Sequence, residues 1–219
     1  QAVNDYNMIK DGDKIAVGIS GGKDSLCLLA ALSEMRRFFP YKYELEAITV
    51  SLGFNETDYS GVKSFCDKLG VNYTVVEENP CSLCDKMRKG ALNNAAEELG
   101  CNKIALGHNK NDVIETFLMS LIFEGRISCF SPVSFLEKKK LYSIRPLIYV
   151  SEYETKSYAD SLGSIIVKNQ CPADGSTKRQ EIKELLKTLN KTYPNLNQRI
   201  FGAVTRSLDD WKRGGVNGR

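Results

Sequence analysis

Residues Ser20-Gly21-Gly22-Lys23-Asp24-Ser25 bring together two glycines, a lysine, an aspartate and two hydroxyls. That composition suits an anion. Gly21 and Gly22 let backbone N–H groups come close to a ligand. Lys23 adds positive charge, and Ser20 and Ser25 add hydroxyl donors. A helix starting just behind them adds its free first-turn amides and the positive end of its dipole. The stretch is neither of two common phosphate loops. A Walker A loop reads Gly-x-x-x-x-Gly-Lys-Ser/Thr, whereas here Asp24 follows Lys23 and Val17 stands where the first glycine belongs. The fingerprint Gly-x-Gly-x-x-Gly is absent as well. Asp24 is unusual in a plain phosphate cradle; it is placed to orient Lys23 or to help hold a metal. The plain alternative is a tight strand-to-helix turn capped by Ser25.

Cysteines form the second candidate group. Cys81 and Cys84 make a C-S-L-C pair just before a helical pattern. Alone, the pair reads as a redox dithiol, half a zinc site or half an iron–sulfur site. The chain has no second C-x-x-C, and its one histidine, His108, lies in a different motif. The best third ligand is Cys171, in "KNQCPADGS". Three thiolates leave one coordination position open, which points to chemistry rather than to a structural metal. Cys27, Cys66, Cys101 and Cys129 read as small core or turn residues. The third group is "LGHNKND", with His108 and Asp112 at a strand-to-helix junction. His108 is either a satisfied histidine near a crevice rim or a ligand contact. Asp112 is a carboxylate suited to Mg²⁺ that bridges phosphates. Glu115, one turn on, reads as a helix-surface or supporting residue.

The elements that must position these groups alternate between strand and helix. "KIAVGIS" is an apolar run of strand length, buried on both faces. In "SLCLLAALSEMRRFF", Leu26, Leu29, Ala30, Leu32 and Met35 recur at helical spacing. "ELEAITV", "NYTVVEE" and "NKIALGH" read as further strands. Between and after them come helices over "TDYSGVKSFCDKLG", closed by Gly70, over "DKMRKGALNNAAEELG" and over "NDVIETFLMSLIF". Strands separated by helices imply right-handed crossovers, hence an α/β fold with an open parallel sheet and helices on both faces. Such sheets bind ligands at the C-terminal ends of their strands. "SGGKDS" and "GHNKND" both sit at such ends, so they are expected to converge on one crevice. After Gly125 the pattern changes. "SFLEKKKLYSIRPL" reads as a short hairpin. "SEYETKSYADSLG" reads as a helix with Ser151 and Glu154 as a capping box. Two C-terminal helices follow, near "KRQEIKELLKTLN" and "PNLNQRIFGAVTRSL", and then a frayed tail. The division expected is a core over residues 1–125 and a continuation of the same domain over 126–219.

Bulk properties narrow the class. Of the 219 residues, 42% are hydrophobic and 26% charged, as in an ordinary soluble domain. No apolar run reaches the ~18 residues a membrane helix needs. "QAVNDYNMIK" lacks the long apolar core of a signal peptide. Seven cysteines, an odd number, favour a reducing compartment over a disulfide framework. A net charge of +3 permits a nucleic-acid partner without requiring one. The basic clusters Lys86/Arg88/Lys89, Lys138–Lys140, Lys178/Arg179 and Lys212/Arg213 each read, taken singly, as solvated surface.

Taken together, "MIKDGDKIAVGISGGKDSLCLLAAL", "CSLCDKMRKGAL", "KIALGHNKNDVIETFLMSLIFEG" and "IRPLIYVSEYE" resemble the PP-loop ATP pyrophosphatases. Within them the chain looks like the tRNA 2-thiocytidine synthetase (TtcA-like) branch, over about Met8 to Val204. The resemblance implies cleavage of ATP to AMP and pyrophosphate, with adenylation of a carbonyl oxygen that sulfur then replaces. It implies ATP over Ser20, Gly21, Gly22, Lys23, Asp24 and Ser25, with Gly107 and His108 on the phosphate side. Lys23, Asp24 and Asp112 take the catalytic places, with Mg²⁺ on Asp112. It implies a 4Fe–4S cluster on Cys81, Cys84 and Cys171, with the fourth iron left for sulfur. The implied partners are tRNA and a sulfur donor (a cysteine desulfurase or sulfide), with a homodimer as an option and no membrane. The implied compartment is the cytoplasm. Two positions depart from the family pattern: Asn111 stands where an acid often precedes Asp112, and Ser51 where an acid often follows the second strand. Zinc remains the alternative metal. A 2-thiouridine synthetase, an enzyme adenylating a small molecule and an iron–sulfur redox sensor remain the alternative functions.

Overall fold

The computed structural model describes residues 1–51, 58–77, 85–162 and 178–212, and of residues 85–88 only the backbone. Cys81, Cys84 and Cys171, the loop after Ser51 and the tail from Arg213 lie outside the described residues.

The strands are β1 (Asp13–Gly18), β2 (Tyr43–Ser51), β3 (Asn72–Glu77), β4 (Lys103–Ala105), β5 (Val133–Leu136) and β6 (Leu141–Ile144). The helices are α1 (Ala2–Asp5), α2 (Lys23–Met35), α3 (Ser60–Leu69), α4 (Asp85–Glu98), α5 (Lys110–Glu124), α6 (Glu152–Ser161), α7 (Lys178–Thr192) and α8 (Leu196–Ser207). The expected β-α alternation is therefore present, and the hairpin over 133–144 is too. Gly70, at φ +61°, closes α3 in the left-handed conformation that only glycine adopts without strain. The fourth strand is shorter than its apolar run suggests. The strand spans only Lys103–Ala105, with a last backbone bond from the Leu106 amide to the Ile144 carbonyl at 3.0 Å, and Gly107 and His108 lie beyond it.

The sheet order is β3-β2-β1-β4-β6-β5. All neighbours are parallel except β5, which runs antiparallel to β6 at the edge. Ile15, Ala16 and Val17 of β1 are fully buried, as a central strand covered on both faces must be. Ile15 and Val17 pack with Leu26 and Leu29 of α2 and with Val62 and Phe65 of α3. Ala16 belongs to a second cluster with Leu92 and Ala96 of α4. That alternation puts helices on both faces. The chain runs outward from β1 through β2 to β3 and then returns to lay β4 on the other side of β1. The order reverses between β1 and β4, and the crevice at such a switch point is where open α/β sheets bind ligands.

At the opposite end of these strands Lys103 and Asp13 form a buried ion pair of 2.6 Å. The Lys103 ammonium also donates to the Met8 carbonyl at 2.8 Å, and Asp13 accepts from the Asn102 amide at 2.8 Å. Hydrogen bonds of this kind are what make a desolvated pair tolerable. The C-terminal segment closes back on the start of the chain. Trp211 is buried; its indole N–H donates to the Phe130 carbonyl at 3.1 Å, and Tyr6 Oη donates to the Trp211 carbonyl at 3.0 Å.

Candidate functional site

The loop between β1 and α2 contains Gly21 at φ +77°, a left-handed turn that redirects the chain from strand to helix. Ser25 holds the loop together. Its Oγ accepts from the Ser20 amide at 3.2 Å and donates to the Gly22 carbonyl at 2.9 Å. Ser20 Oγ in turn accepts from the Gly22 amide at 3.3 Å. Gly22 is the N-cap of α2, and no side chain caps the first turn. The amides at the start of α2 are therefore left for a ligand, the arrangement that suits an anion. The Ser25 hydroxyl does staple the turn, as the plain alternative expected, but it does so without spending the helix N-terminus.

Lys23 and Asp24 lie 3.2 Å apart, and Lys23 Nζ is also 3.0 Å from Glu152 Oε1 at the start of α6. Burial pulls the Lys23 pKa down, but the hydrogen bond to Glu152 and the charge of Asp24 outweigh it and leave it raised. Lys23 is therefore a full cation at neutral pH. Asp24 does orient Lys23, and more besides: its Oδ1 accepts from Thr155 Oγ1 at 2.5 Å and from the Asn109 amide at 3.3 Å. Three segments distant in sequence meet at this one carboxylate. Gly107 lies so close to the loop that a Cβ there would stand 3.1 Å from the Asp24 carbonyl carbon and from the Ser25 nitrogen. The expected convergence of "SGGKDS" and "GHNKND" is realised at β1 and β4.

His108 is stacked on Phe130, with ring centroids 4.8 Å apart and 32° between planes. Burial, reinforced by Arg145, pushes its pKa down to about 3, and its Nδ1 is buried without a hydrogen-bond partner. It is a neutral imidazole with one unused ring nitrogen. It can offer a phosphate a hydrogen bond but no charge. Arg145 lies over the Phe130 ring at 5.0 Å and donates to the Ser131 carbonyl at 2.6 Å; burial brings its pKa down to about 10.

Asp112 is spent differently from what its position in the motif suggests. Asn109 caps α5, and Asp112 closes a capping box by accepting the Asn109 amide at 2.9 Å on Oδ2. Its Oδ1 pairs with Arg179 at 2.9 Å. Burial raises the Asp112 pKa. Asn111, which replaces the expected acid, accepts the Glu152 amide at 3.0 Å and so ties α5 to α6.

Of the two readings of Glu115, helix surface and supporting residue, the structure keeps the second: it is 2% exposed, and burial pushes its pKa up to about 7. Arg179 lies 3.2 Å from one of its oxygens and Lys183 3.8 Å from the other. The Lys178/Arg179 cluster is accordingly not simple solvated surface, since Arg179 is paired and Lys178 lies over the Phe123 ring at 4.9 Å. The expectation missed Asn109, Glu152, Thr155, Arg179 and Lys183 as parts of the site. The Asn-x-x-Asp spacing at 109–112 would have exposed the capping box. Glu152 lies inside "IRPLIYVSEYE". Nothing in the local sequence pairs Arg179 or Lys183 with α5.

Cys27, Cys66 and Cys101 are buried, and burial pushes each thiol up to about 11; Cys129 rises to about 12. Thiols that stay protonated at neutral pH make poor metal ligands, which agrees with reading them as core or turn residues. Cys129 lies in the connection between α5 and β5. Among the described residues no three His, Cys, Asp or Glu side chains group to hold a metal.

A family model described as a PP-loop domain matches residues 1–189. The tRNA-cytidine(32) 2-sulfurtransferase of Pelobacter propionicus is 36% identical over 94% of this chain and 82% of its own length. That of Dichelobacter nodosus is 37% identical over 95% and 84%. Among solved structures, the U34-tRNA thiolase NcsA from Methanococcus maripaludis with its 4Fe–4S cluster matches at a TM-score of 0.76 and 27% identity. That match covers 94% of this chain and 75% of the other.

Proposed function

The chain belongs to the PP-loop domain family, and on that premise we propose that it is an ATP-dependent iron–sulfur tRNA sulfurtransferase that replaces the 2-oxygen of a cytosine. The observation that carries the reading is the meeting of Lys23, Asp24 and Gly107 at the β1/β4 switch point, beside helix amides that no side chain caps.

ATP lies over Ser20–Ser25, with its phosphates on the first turn of α2 and on Lys23. The cytosine 2-oxygen attacks the α-phosphorus and pyrophosphate leaves. Charge building on the phosphoryl oxygens is met by the loop amides and Lys23. Asp24, fixed by Thr155 and Asn109, keeps Lys23 aimed. Sulfur then replaces the adenylated oxygen at C2, and AMP leaves. Mg²⁺ would arrive with the nucleotide, held mainly by its phosphates; Asp112 is the carboxylate for it, provided that Oδ1 gives up Arg179. Cys81, Cys84 and Cys171 would hold a 4Fe–4S cluster. The donor set fits, because three thiolates satisfy three irons and leave the fourth for sulfur. When bound, the cluster supplies that sulfur site. A cysteine desulfurase or sulfide is the donor, the compartment is reducing and cytoplasmic, and a homodimer is the assembly to test.

A 2-thiouridine product is the second reading, favoured by the likeness to the U34-tRNA thiolase. Anaerobically reconstituted protein, given tRNA, ATP and sulfide, decides between them. Expected are about four irons per chain, pyrophosphate release and a thiolated cytidine in the nucleoside mass spectrum. Lys23→Ala should lose pyrophosphate release. Cys81→Ala, Cys84→Ala and Cys171→Ala should each bind ATP yet lose thiolation. Zinc in place of iron, or full activity in Cys171→Ala, overturns the cluster assignment; a thiolated uridine selects the second reading.

A further inference from the structure

Lys23, which keeps Asp24 at 3.2 Å on one side, opens on the other side onto a chain of alternating charges. Its ammonium is 3.0 Å from Glu152 Oε1. The same carboxylate oxygen lies 3.6 Å from Lys183 Nζ, on α7. Lys183 reaches on to Glu115, which shares Arg179 with Asp112. Glu152 is thus claimed by two lysines from two elements. It is fixed from behind, since its own amide donates to Asn111. A lysine that must meet phosphate cannot keep its carboxylate undisturbed. A half-buried carboxylate that loses its cation is costly unless another takes over.

We propose that Glu152 is a positioning residue of the phosphate site: it holds Lys23 while the loop is empty and releases it to the phosphates, with Lys183 standing by as the replacement counterion. The proposal rests on the reading of residues 20–25 as the nucleotide loop. Glu152 competes with ATP for Lys23, and Lys183 competes with Lys23 for Glu152. The two residues therefore act on ATP affinity with opposite signs, although both belong to one ion-pair chain. A merely structural role would weaken binding in both variants.

ATP affinity is measured by calorimetry on the reconstituted protein, without tRNA and at fixed ionic strength. Glu152→Gln should bind ATP about two- to fivefold more tightly, the size of a partly exposed ion pair. Lys183→Met should bind it more weakly by a similar factor, and Lys183→Gln gives the same reading should the Met variant melt early. In a Glu152→Gln background the Lys183 change should have no effect, and in a Lys23→Ala background Glu152→Gln should have none. Weaker or unchanged binding in Glu152→Gln overturns the proposal. So does equal tightening without Lys23, which would be a long-range charge effect. So does a Lys183 effect that survives without Glu152, which would put Lys183 on the nucleotide itself. If Lys23→Ala alone binds ATP like the parent, the nucleotide-loop reading fails first, and the proposal with it.

Discussion

The turn after β1 and the turn after β4 are neighbours at the switch point, and each leads from a parallel strand into a long helix. The first ends in Gly22, with Ser25 turned back to staple the loop, and no side chain satisfies the helix amides. The second ends in a complete capping box, Asn109 with Asp112, and the free oxygen of Asp112 goes to Arg179. A helix N-terminus attracts anions only while its donors are unspent. On the proposed reading the first turn is the binding surface and the second its support, pressed against it at Gly107. Similar positions in the fold carry different duties, and the cap decides which.

The sharpest way to break that division is to separate the turns. A methyl group on Gly107 meets backbone, not a flexible side chain, at 3.1 Å. Gly107→Ala should cost about 1–3 kcal/mol of stability, as overpacking does, and at least about tenfold in ATP affinity through displaced loop amides. Melting curves and ATP titration check this, with Gly90→Ala as the control because a Cβ there meets nothing within 4 Å. Parent-like ATP binding in Gly107→Ala would mean that the support does not set the loop.

A smaller effect distinguishes the two duties of Asp112. Asp112→Ala removes the box and should lower stability by about 0.5–2 kcal/mol. Asp112→Asn keeps an acceptor for the Asn109 amide but turns an NH2 donor toward Arg179, so it should keep the cap and lose only the Arg179 pair, a smaller drop in melting temperature than that of Asp112→Ala. If the carboxylate also takes Mg²⁺, the Asn variant still loses about tenfold or more of its Mg²⁺-dependent turnover. An Asn variant as active as the parent would leave Asp112 with the cap alone.

The smallest effect lies in the pH dependence of stability. Glu115 titrates near 4.5 unfolded and at about 7 folded, chiefly through burial. Between those values the folded state holds the proton more tightly than the unfolded chain does. The stability that Glu115 contributes is thus full below about pH 4.5 and fades as pH rises through 7. Denaturant titrations from pH 4.5 to 8 should show that decline in the parent and a flatter profile in Glu115→Gln. An equal slope in both would place the proton elsewhere.

Much of the fold was legible because its signals are local. The apolar runs of β1 and β2, the helical spacing after Leu26, the Gly70 stop and the Ser151–Glu154 box each depend on a few adjacent residues. The loop, too, could be read from its glycines. The partners of Lys23 and Asp112 could not, because Glu152, Thr155 and Arg179 reach them only after the sheet has folded. The two readings of Glu115 could not be separated for the same reason: α5 offers a carboxylate one turn from Asp112, and only the packing of α7 against α5 buries it as a support. The short β4 was overextended because "KIALGH" continues its apolar pattern past the point where pairing stops.

The sheet order also has a consequence for synthesis. Of the described strands β1 is made first, yet it lies inside the sheet. A growing chain can pair β1, β2 and β3 early, but the far edge of β1 stays open until residues 103–105 leave the ribosome. For that interval Ile15, Ala16 and Val17, fully buried in the finished sheet, line an unpaired edge, a known aggregation hazard of nascent chains. Asp13 waits as long for Lys103. The crevice between β1 and β4 cannot exist before then, so whatever it is to bind has no place on the emerging chain until β4 has paired.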